Sequence, residues 1–179
     1  MRLFRSLTLL LMLMTPALFA SAAFADGTFQ VEVILFRQID QPAATNQPSP
    51  ENWADSARKL VTADQATTTL DSMADKLDAS GLYKVLLHKA WQQDLSATPS
   101  RIALSDGQEQ FGHFPIEGTV SLALARFTDI DANFWVNQLD SHGVLITSER
   151  MRQSTRVKNG ELTYMDNGSL AMLIKVSSL

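Results

Sequence analysis

Ser56 and Lys59 stand in an S-x-x-K pattern, which is the nucleophile motif of penicillin-binding enzymes. Two triplets, 105–107 (Ser-Asp-Gly) and 158–160 (Lys-Asn-Gly), follow in the order of the S-D-N and K-T-G motifs of those enzymes. The first triplet ends in glycine, which lacks the side-chain amide that reaches the substrate. The second carries Asn where a hydroxyl group orients the substrate carboxylate. We therefore expect no acyl-transfer enzyme, and we expect Ser56 and Lys59 to lie on the exposed side of a helix.

The other residues that could bind a metal or transfer a proton are dispersed. His88, His113 and His142 have no second histidine at the i+2 or i+4 spacing that zinc sites usually use. Asp129 and Asp131 share a face of a strand or turn, but a calcium loop needs more oxygen ligands and a nearby glycine. We therefore expect no metal, no cofactor and no catalytic centre.

The remaining candidates for ligand binding are three tryptophans and three arginines: Trp53, Trp91, Trp135, Arg150, Arg152 and Arg156. Indole rings stack on sugars or anchor protein partners. The arginines share even parity on one predicted strand, so they would project from one face and could pair with ligand carboxylates. The alternatives are core packing for Trp91 and Trp135, and a solvated strand face for the arginines, paired with Glu161 across a hairpin.

The elements that must position these residues follow from hydrophobic periodicity. Alternation of apolar residues predicts strands over 28–38, 82–92, 119–128, 144–158, 161–165 and 170–176. Leu70, Met73, Ala74 and Leu77 follow the i, i+3, i+4, i+7 pattern of a helix over 67–80, which Gly81 would end.

Loops and turns separate these elements. A short helix is predicted over 53–60, a Pro-rich loop over 39–52 and a second loop over 94–115. Asn159-Gly160 between two strand-like runs predicts a β-hairpin. The order of elements predicts an α+β fold, with a largely antiparallel sheet, one main helix packed on one face, and Pro-rich loops.

Composition limits the class of protein. The 179 residues include no cysteine, which excludes disulfides, thiolate zinc sites and a lipid-modified cysteine. The chain has 15 basic against 19 acidic residues, an acidic balance that argues against a nucleic-acid-binding protein. The hydrophobic content of 45% is typical of a globular chain.

Residues 1–25 have the features of a secretory signal peptide. Arg2 and Arg5 precede an apolar run, and Ala23-Phe24-Ala25 forms an A-x-A cleavage site. The alternative, a membrane anchor, is disfavoured because the apolar run is short. Cleavage after Ala25 would release residues 26–179 as a single exported domain of 154 residues, with no membrane span.

Five segments together resemble the CsiV family of peptidoglycan-binding proteins. They are 29–38 (FQVEVILFRQ), 51–53 (ENW), 82–91 (LYKVLLHKAW), 118–127 (GTV through Arg-Phe) and 151–166 (Met-Arg through Glu-Leu and Tyr-Met-Asp). The chain departs from the family at Thr163, at Asn167-Gly168 and at 127–129, where members tend to carry histidines. It resembles a divergent member.

The resemblance implies a non-catalytic periplasmic protein of Gram-negative bacteria that binds peptidoglycan and assists its assembly. It implies a link to a class A penicillin-binding synthase and to the outer-membrane lipoprotein that activates it. Exposed Trp and Arg side chains would contact glycan and stem-peptide carboxylates. One alternative is a protein–protein adaptor that docks through the loop over 39–52 and Trp53 without binding the wall. A third hypothesis is an envelope enzyme that uses Ser56.

Overall fold

The computed structural model of the protein describes residues 27–43 and 47–179. The predicted signal peptide over 1–25 lies outside these residues. The described part contains nine strands, one α-helix and one 3-10 turn (Thr62–Asp64): β1 (Gly27–Gln38), β2 (Arg58–Lys59), α1 (Asp71–Ala79), β3 (Tyr83–Leu95), β4 (Ser100–Asp106), β5 (Ile116–Leu124), β6 (Thr128–Leu139), β7 (Leu145–Val157), β8 (Leu162–Asp166) and β9 (Leu170–Ser178). None of its helices is long and apolar enough to cross a membrane.

The strands form two sheets that pack face to face. The first sheet has the order β3-β1-β9-β8 and the second β2-β4-β5-β6-β7. Every neighbouring pair is antiparallel except β2 with β4. The predictions of antiparallel pairing and of one main helix are confirmed, but the expectation of one sheet is wrong. Two stacked sheets bury the apolar inner face of each, which one sheet with a single short helix would leave exposed.

Strand β1 is buried on both sides, because the first sheet lies between the second sheet and α1 in a three-layer arrangement. Its residues Val31, Val33 and Leu35 face the second sheet and belong to the main core between the sheets. Ile34 and Phe36 point the other way and pack against α1 in a smaller cluster. The helix therefore packs on the outer face of the first sheet.

Four local predictions need correction. The predicted loop over 94–115 contains β4, and the run predicted as one strand over 119–128 spans the end of β5 and the start of β6. The predicted helix over 53–60 is a turn followed by β2. Short strands such as β4 (SRIALSD) carry little periodicity, and pairing with β5 stabilises β4 as a strand.

The predicted hairpin at Asn159-Gly160 is also wrong. A turn does lie there, with a positive φ of 86° at Gly160, but β7 pairs with β6 while β8 pairs with β9. The turn therefore carries the chain from one sheet to the other. The Pro-rich loop over 39–52 includes residues 44–46, which lie outside the described part, and it stays a prediction.

Candidate functional site

A cavity of about 400 Å³ lies where the edges of the two sheets meet, between β3 and β4. Strand β3 is the edge of the first sheet, and β4 is followed in the second sheet only by the two-residue β2. Because β2 pairs with Ile102 and Ala103 alone, no strand of the described structure pairs with residues 104–106 on the edge of β4 that faces away from β5. The cavity opens at this uncovered end of β4.

Two aromatic rings form one wall of the cavity. Trp53 and Phe114 meet edge to face, with ring centroids 6.2 Å apart and an interplanar angle of 84°. The Trp53 indole N–H donates to the carbonyl of Gly112 at 3.4 Å. Trp53 is partly exposed, so it is held in place and still offers ring surface to a ligand.

Two lysines give the cavity a positive character. Lys89, on β3, has its Nζ 3.6 Å from Oδ1 of Asp106, which brings the edges of the two sheets together. Lys59, on β2, is exposed and forms no ion pair within the described residues. The residues that line the cavity include both lysines and no Asp or Glu, so the cavity suits a ligand that carries a carboxylate of its own.

His88 lines the cavity and is held from behind by Glu32. The distance from His88 Nε2 to Glu32 Oε1 is 2.7 Å. The Glu32 carboxylate is 2% exposed and also accepts hydrogen bonds from the backbone N–H groups of Thr69 and Leu70 and from the Thr69 hydroxyl. Burial opposes ionisation of Glu32, but the hydrogen bonds from Thr69, His88 and Leu70 outweigh it and hold the pKa of this carboxyl below its ordinary value.

Glu32 therefore joins the cavity wall to the start of α1. Its hydrogen bonds to the N–H groups of Thr69 and Leu70 hold the chain just before Asp71, where the helix begins instead of near Thr67. Glu32 does not stand out in the sequence, because a polar residue on an alternating strand resembles a solvent-facing position. A carboxylate between Val31 and Val33 was the only signal.

A second buried carboxylate orients Phe114. Glu117 is fully buried and accepts hydrogen bonds from the Phe114 backbone N–H and from the side chain of Asn137, each at 2.8 Å. Its Oε1 lies 2.8 Å from His113 Nδ1. This network fixes the residues that lead into β5. The i, i+4 spacing of His113 and Glu117 could have indicated the pair.

The predicted arginines lie on the outer face of the second sheet, as their parity requires. Arg150 lies over the Trp135 ring, 5.1 Å from its centroid, and donates to Asn133 at 2.8 Å. Burial and the neighbouring Arg152 lower the pKa of Arg150. Internal contacts therefore already occupy this guanidinium.

The other two arginines differ from one another. Arg156 binds both carboxylate oxygens of Asp129, at 2.6 and 3.1 Å, and not Glu161, which pairs with Lys158. Arg152 is exposed and forms no ion pair among the residues that the structure describes. Of the three arginines, Arg152 is the one with its charge open to a ligand.

Two of the three tryptophans are buried. Trp91 is fully buried in the main core, where its indole N–H donates to Gln93 at 2.8 Å. Trp135 is 4% exposed beneath Arg150. Neither ring has a surface on which a ligand could stack, so the expected contacts from these two residues are not available. Trp53 alone of the three lies at the cavity.

The cavity and the arginine face are connected along the chain. The Gln47 backbone N–H donates to the carbonyl of Ser148, and its side chain accepts from Arg150. Trp53 follows six residues later at the cavity wall. The segment from Gln47 to Trp53 thus connects the arginine face to the cavity, but Trp53 and the arginines do not share a pocket.

The S-x-x-K residues lack the geometry of a catalytic pair. Ser56 has a positive φ of 63° in a turn, and Lys59 lies on β2, so the expected helix that would carry both is not present at these positions. Lys158 lies in the turn after β7, and Ser105 lies on β4.

A protein-family model described as "Peptidoglycan-binding protein, CsiV" matches residues 54–179, which is most of the chain. The match confirms the resemblance found in the sequence. It includes β2 through β9 and every cavity residue named above except Trp53, which lies one residue before it. Comparisons with curated proteins and with solved structures give no match.

Proposed function

The chain belongs to the CsiV family of peptidoglycan-binding proteins, and we propose that it binds peptidoglycan through the cavity between β3 and β4. One observation carries the proposal: the cavity combines an aromatic wall, Trp53 with Phe114, and two lysines, Lys59 and Lys89. Peptidoglycan offers the matching groups, because its sugar rings have apolar faces and its stem peptides carry carboxylates.

In this proposal each wall of the cavity recognises one part of the polymer. The exposed ring surface of Trp53 stacks on a sugar, and the ammonium groups of Lys59 and Lys89 bind a stem-peptide carboxylate. Ser105 supplies a hydroxyl for an acetamido group. Arg152, on the outer face of the second sheet, binds a second carboxylate of the polymer, while Arg150 and Arg156 keep their internal contacts.

We propose that binding is not coupled to catalysis. The family is described as a binding family, and Ser56 and Lys59 lie in a turn and on a two-residue strand. A fluorescent penicillin is expected not to label the protein. Covalent labelling at Ser56 would favour the envelope enzyme instead.

We further propose that the protein acts in the periplasm and assists wall assembly. The signal peptide predicted over 1–25 and the family's ligand support this location. A class A penicillin-binding synthase and its outer-membrane lipoprotein activator are the proposed protein partners, and the sequence resemblance is the support for them.

Co-sedimentation with purified sacculi tests the proposal. The protein without residues 1–25 is expected to pellet with intact sacculi and to be released by muramidase digestion. The double variant Lys59→Ala/Lys89→Ala should bind at least tenfold more weakly, a loss of about 1.4 kcal/mol or more. Trp53→Ala should weaken binding to a similar extent.

Lys158→Ala is the matched control, since this lysine is exposed in the turn between β7 and β8, away from the cavity lining. It should bind sacculi as the wild type does. Wild-type affinity in both the double lysine variant and Trp53→Ala would show that the cavity is not the binding site. Failure of the wild-type protein to pellet at any concentration would favour the adaptor hypothesis.

A further inference from the structure

Phe111 occupies the tip of a two-residue turn in a backbone conformation that aromatic residues rarely adopt. The backbone groups of Gln110 and His113 exchange hydrogen bonds of 2.8 and 3.0 Å across the turn. The two residues between them have positive φ angles, 49° at Phe111 and 84° at Gly112. This is the pattern of a type I′ turn, in which Asn is the favoured first central residue before Gly.

Phe111 is unfavourable to the folded protein in two ways. A β-carbon in the left-handed region is sterically unfavourable, and a bulky side chain there is an outlier. The ring is also 81% exposed, the highest exposure among the large apolar side chains in the described part of the chain. Packing within the described fold therefore does not account for a phenylalanine at this position.

The turn is attached to the mouth of the cavity. The carbonyl of Gly112, next to Phe111, accepts the indole N–H of Trp53. His113, which closes the turn, is anchored to the buried carboxylate of Glu117. The Phe111 ring is thus presented to solvent from a fixed backbone beside the aromatic wall.

We infer that Phe111 extends the binding site beyond the cavity and packs against the next sugar unit of the same glycan strand. The inference rests on the proposed function. A cavity of about 400 Å³ is at the small end of ligand pockets, so a polymer bound there must continue past its rim. The turn that carries Phe111 lies at that rim, and an exposed ring offers the flat apolar surface that sugar faces pack on.

Phe111→Asn is the variant that separates binding from folding, because Asn-Gly suits the turn better than Phe-Gly. The binding of two probes would be measured on the protein without residues 1–25: intact sacculi, and the monomeric disaccharide-peptide released by muramidase. We expect Phe111→Asn to bind sacculi about tenfold more weakly and to bind the monomer as the wild type does. Its melting temperature should rise by a few degrees, since backbone strain is relieved.

Two further variants complete the test. Phe111→Tyr keeps an aromatic ring and should retain binding to sacculi. Phe127→Asn changes another exposed phenylalanine, in the turn between β5 and β6, and should bind both probes normally. Trp53→Ala should lose affinity for both probes.

The outcomes distinguish the inference from the proposed function. If Phe111→Asn binds sacculi as tightly as the wild type while Trp53→Ala does not, the cavity is supported as the binding site and the extension through Phe111 is refuted. Phe111 would then contact a different partner. If Trp53→Ala binds both probes normally, the cavity and its extension are both refuted. Equal losses for the monomer and the sacculi in Phe111→Asn would show that Phe111 belongs to the pocket itself and would also overturn the extension.

Discussion

Glu32→Gln tests whether one buried carboxylate holds both the start of α1 and the wall of the cavity. In the wild type the two carboxylate oxygens face four donors: the Thr69 and Leu70 backbone N–H groups, the Thr69 hydroxyl and His88 Nε2. Glutamine has nearly the same shape. It replaces one acceptor oxygen by an amide group that itself donates, so at least one of the four donors loses its partner.

The expected loss of stability is about 3 kcal/mol. Hydrogen bonds to a charged group contribute roughly 1.5–3 kcal/mol each, and a buried donor left without a partner costs about 1–3 kcal/mol. The favourable interaction of the carboxylate with the helix N-terminus, roughly 0.3–1 kcal/mol, is lost as well. Partial rearrangement of the Thr69 hydroxyl keeps the total near the lower end of the sum of these ranges.

The loss of stability in Glu32→Gln should depend on pH in a definite direction. Because the folded state lowers the pKa of Glu32 below its ordinary value of 4.5, its stabilising effect is complete above that pH and is lost as the pH falls through the folded value. Gln does not titrate. The difference in stability between the wild type and Glu32→Gln should therefore be largest at pH 7 and should shrink as the pH falls below about 4.5.

Urea unfolding followed by tryptophan fluorescence measures this difference, with the buried Trp91 as a reporter of the core. Glu161→Gln is the control, because this carboxylate is exposed and pairs only with Lys158 within the described structure. A loss below about 0.5 kcal/mol at pH 7, or a difference as large at pH 3.5 as at pH 7, would refute the reasoning.

Two more predictions concern the second sheet. Gly118→Ala should lower the free energy of unfolding, measured by urea denaturation, by about 3 kcal/mol, because an added Cβ would overlap Cδ1 of the buried Phe134 ring. A stability equal to the wild type would show that β5 and β6 can move apart at this point. Arg150→Ala should uncover Trp135, shift its fluorescence to longer wavelength and lower stability by about 1 kcal/mol. Arg152→Ala should change neither quantity, and an equal shift in both variants would contradict the assigned contact.

The elements that the sequence predicted well are those whose signal is local. The alternation in β1 and β3, the helical spacing of Leu70, Met73 and Leu77, and the stop at Gly81 each depend on neighbours within a few residues. The same periodicity placed Arg150, Arg152 and Arg156 on one face. It could not indicate that Asp129, on the adjacent strand, would pair with Arg156.

The division of the strands into two sheets was not predictable in this way. Asn159-Gly160 carries a strong local signal for a turn, yet the partners of β7 and β8 are chosen by the cores they help to bury. Trp91 and Trp135 are likewise ambiguous in the sequence, because an indole serves equally well in a core and at a binding surface.

The sequence by itself determined the acidic character of the chain, the two-faced strand β1, the helix α1 and membership of the CsiV family. Only the tertiary structure decided where a ligand could bind. The cavity is assembled from the edge strands of two different sheets, and its support comes from Glu32, whose partners lie 37 to 56 residues away. Periodicity reports the face on which a residue lies, while long-range packing decides which faces meet.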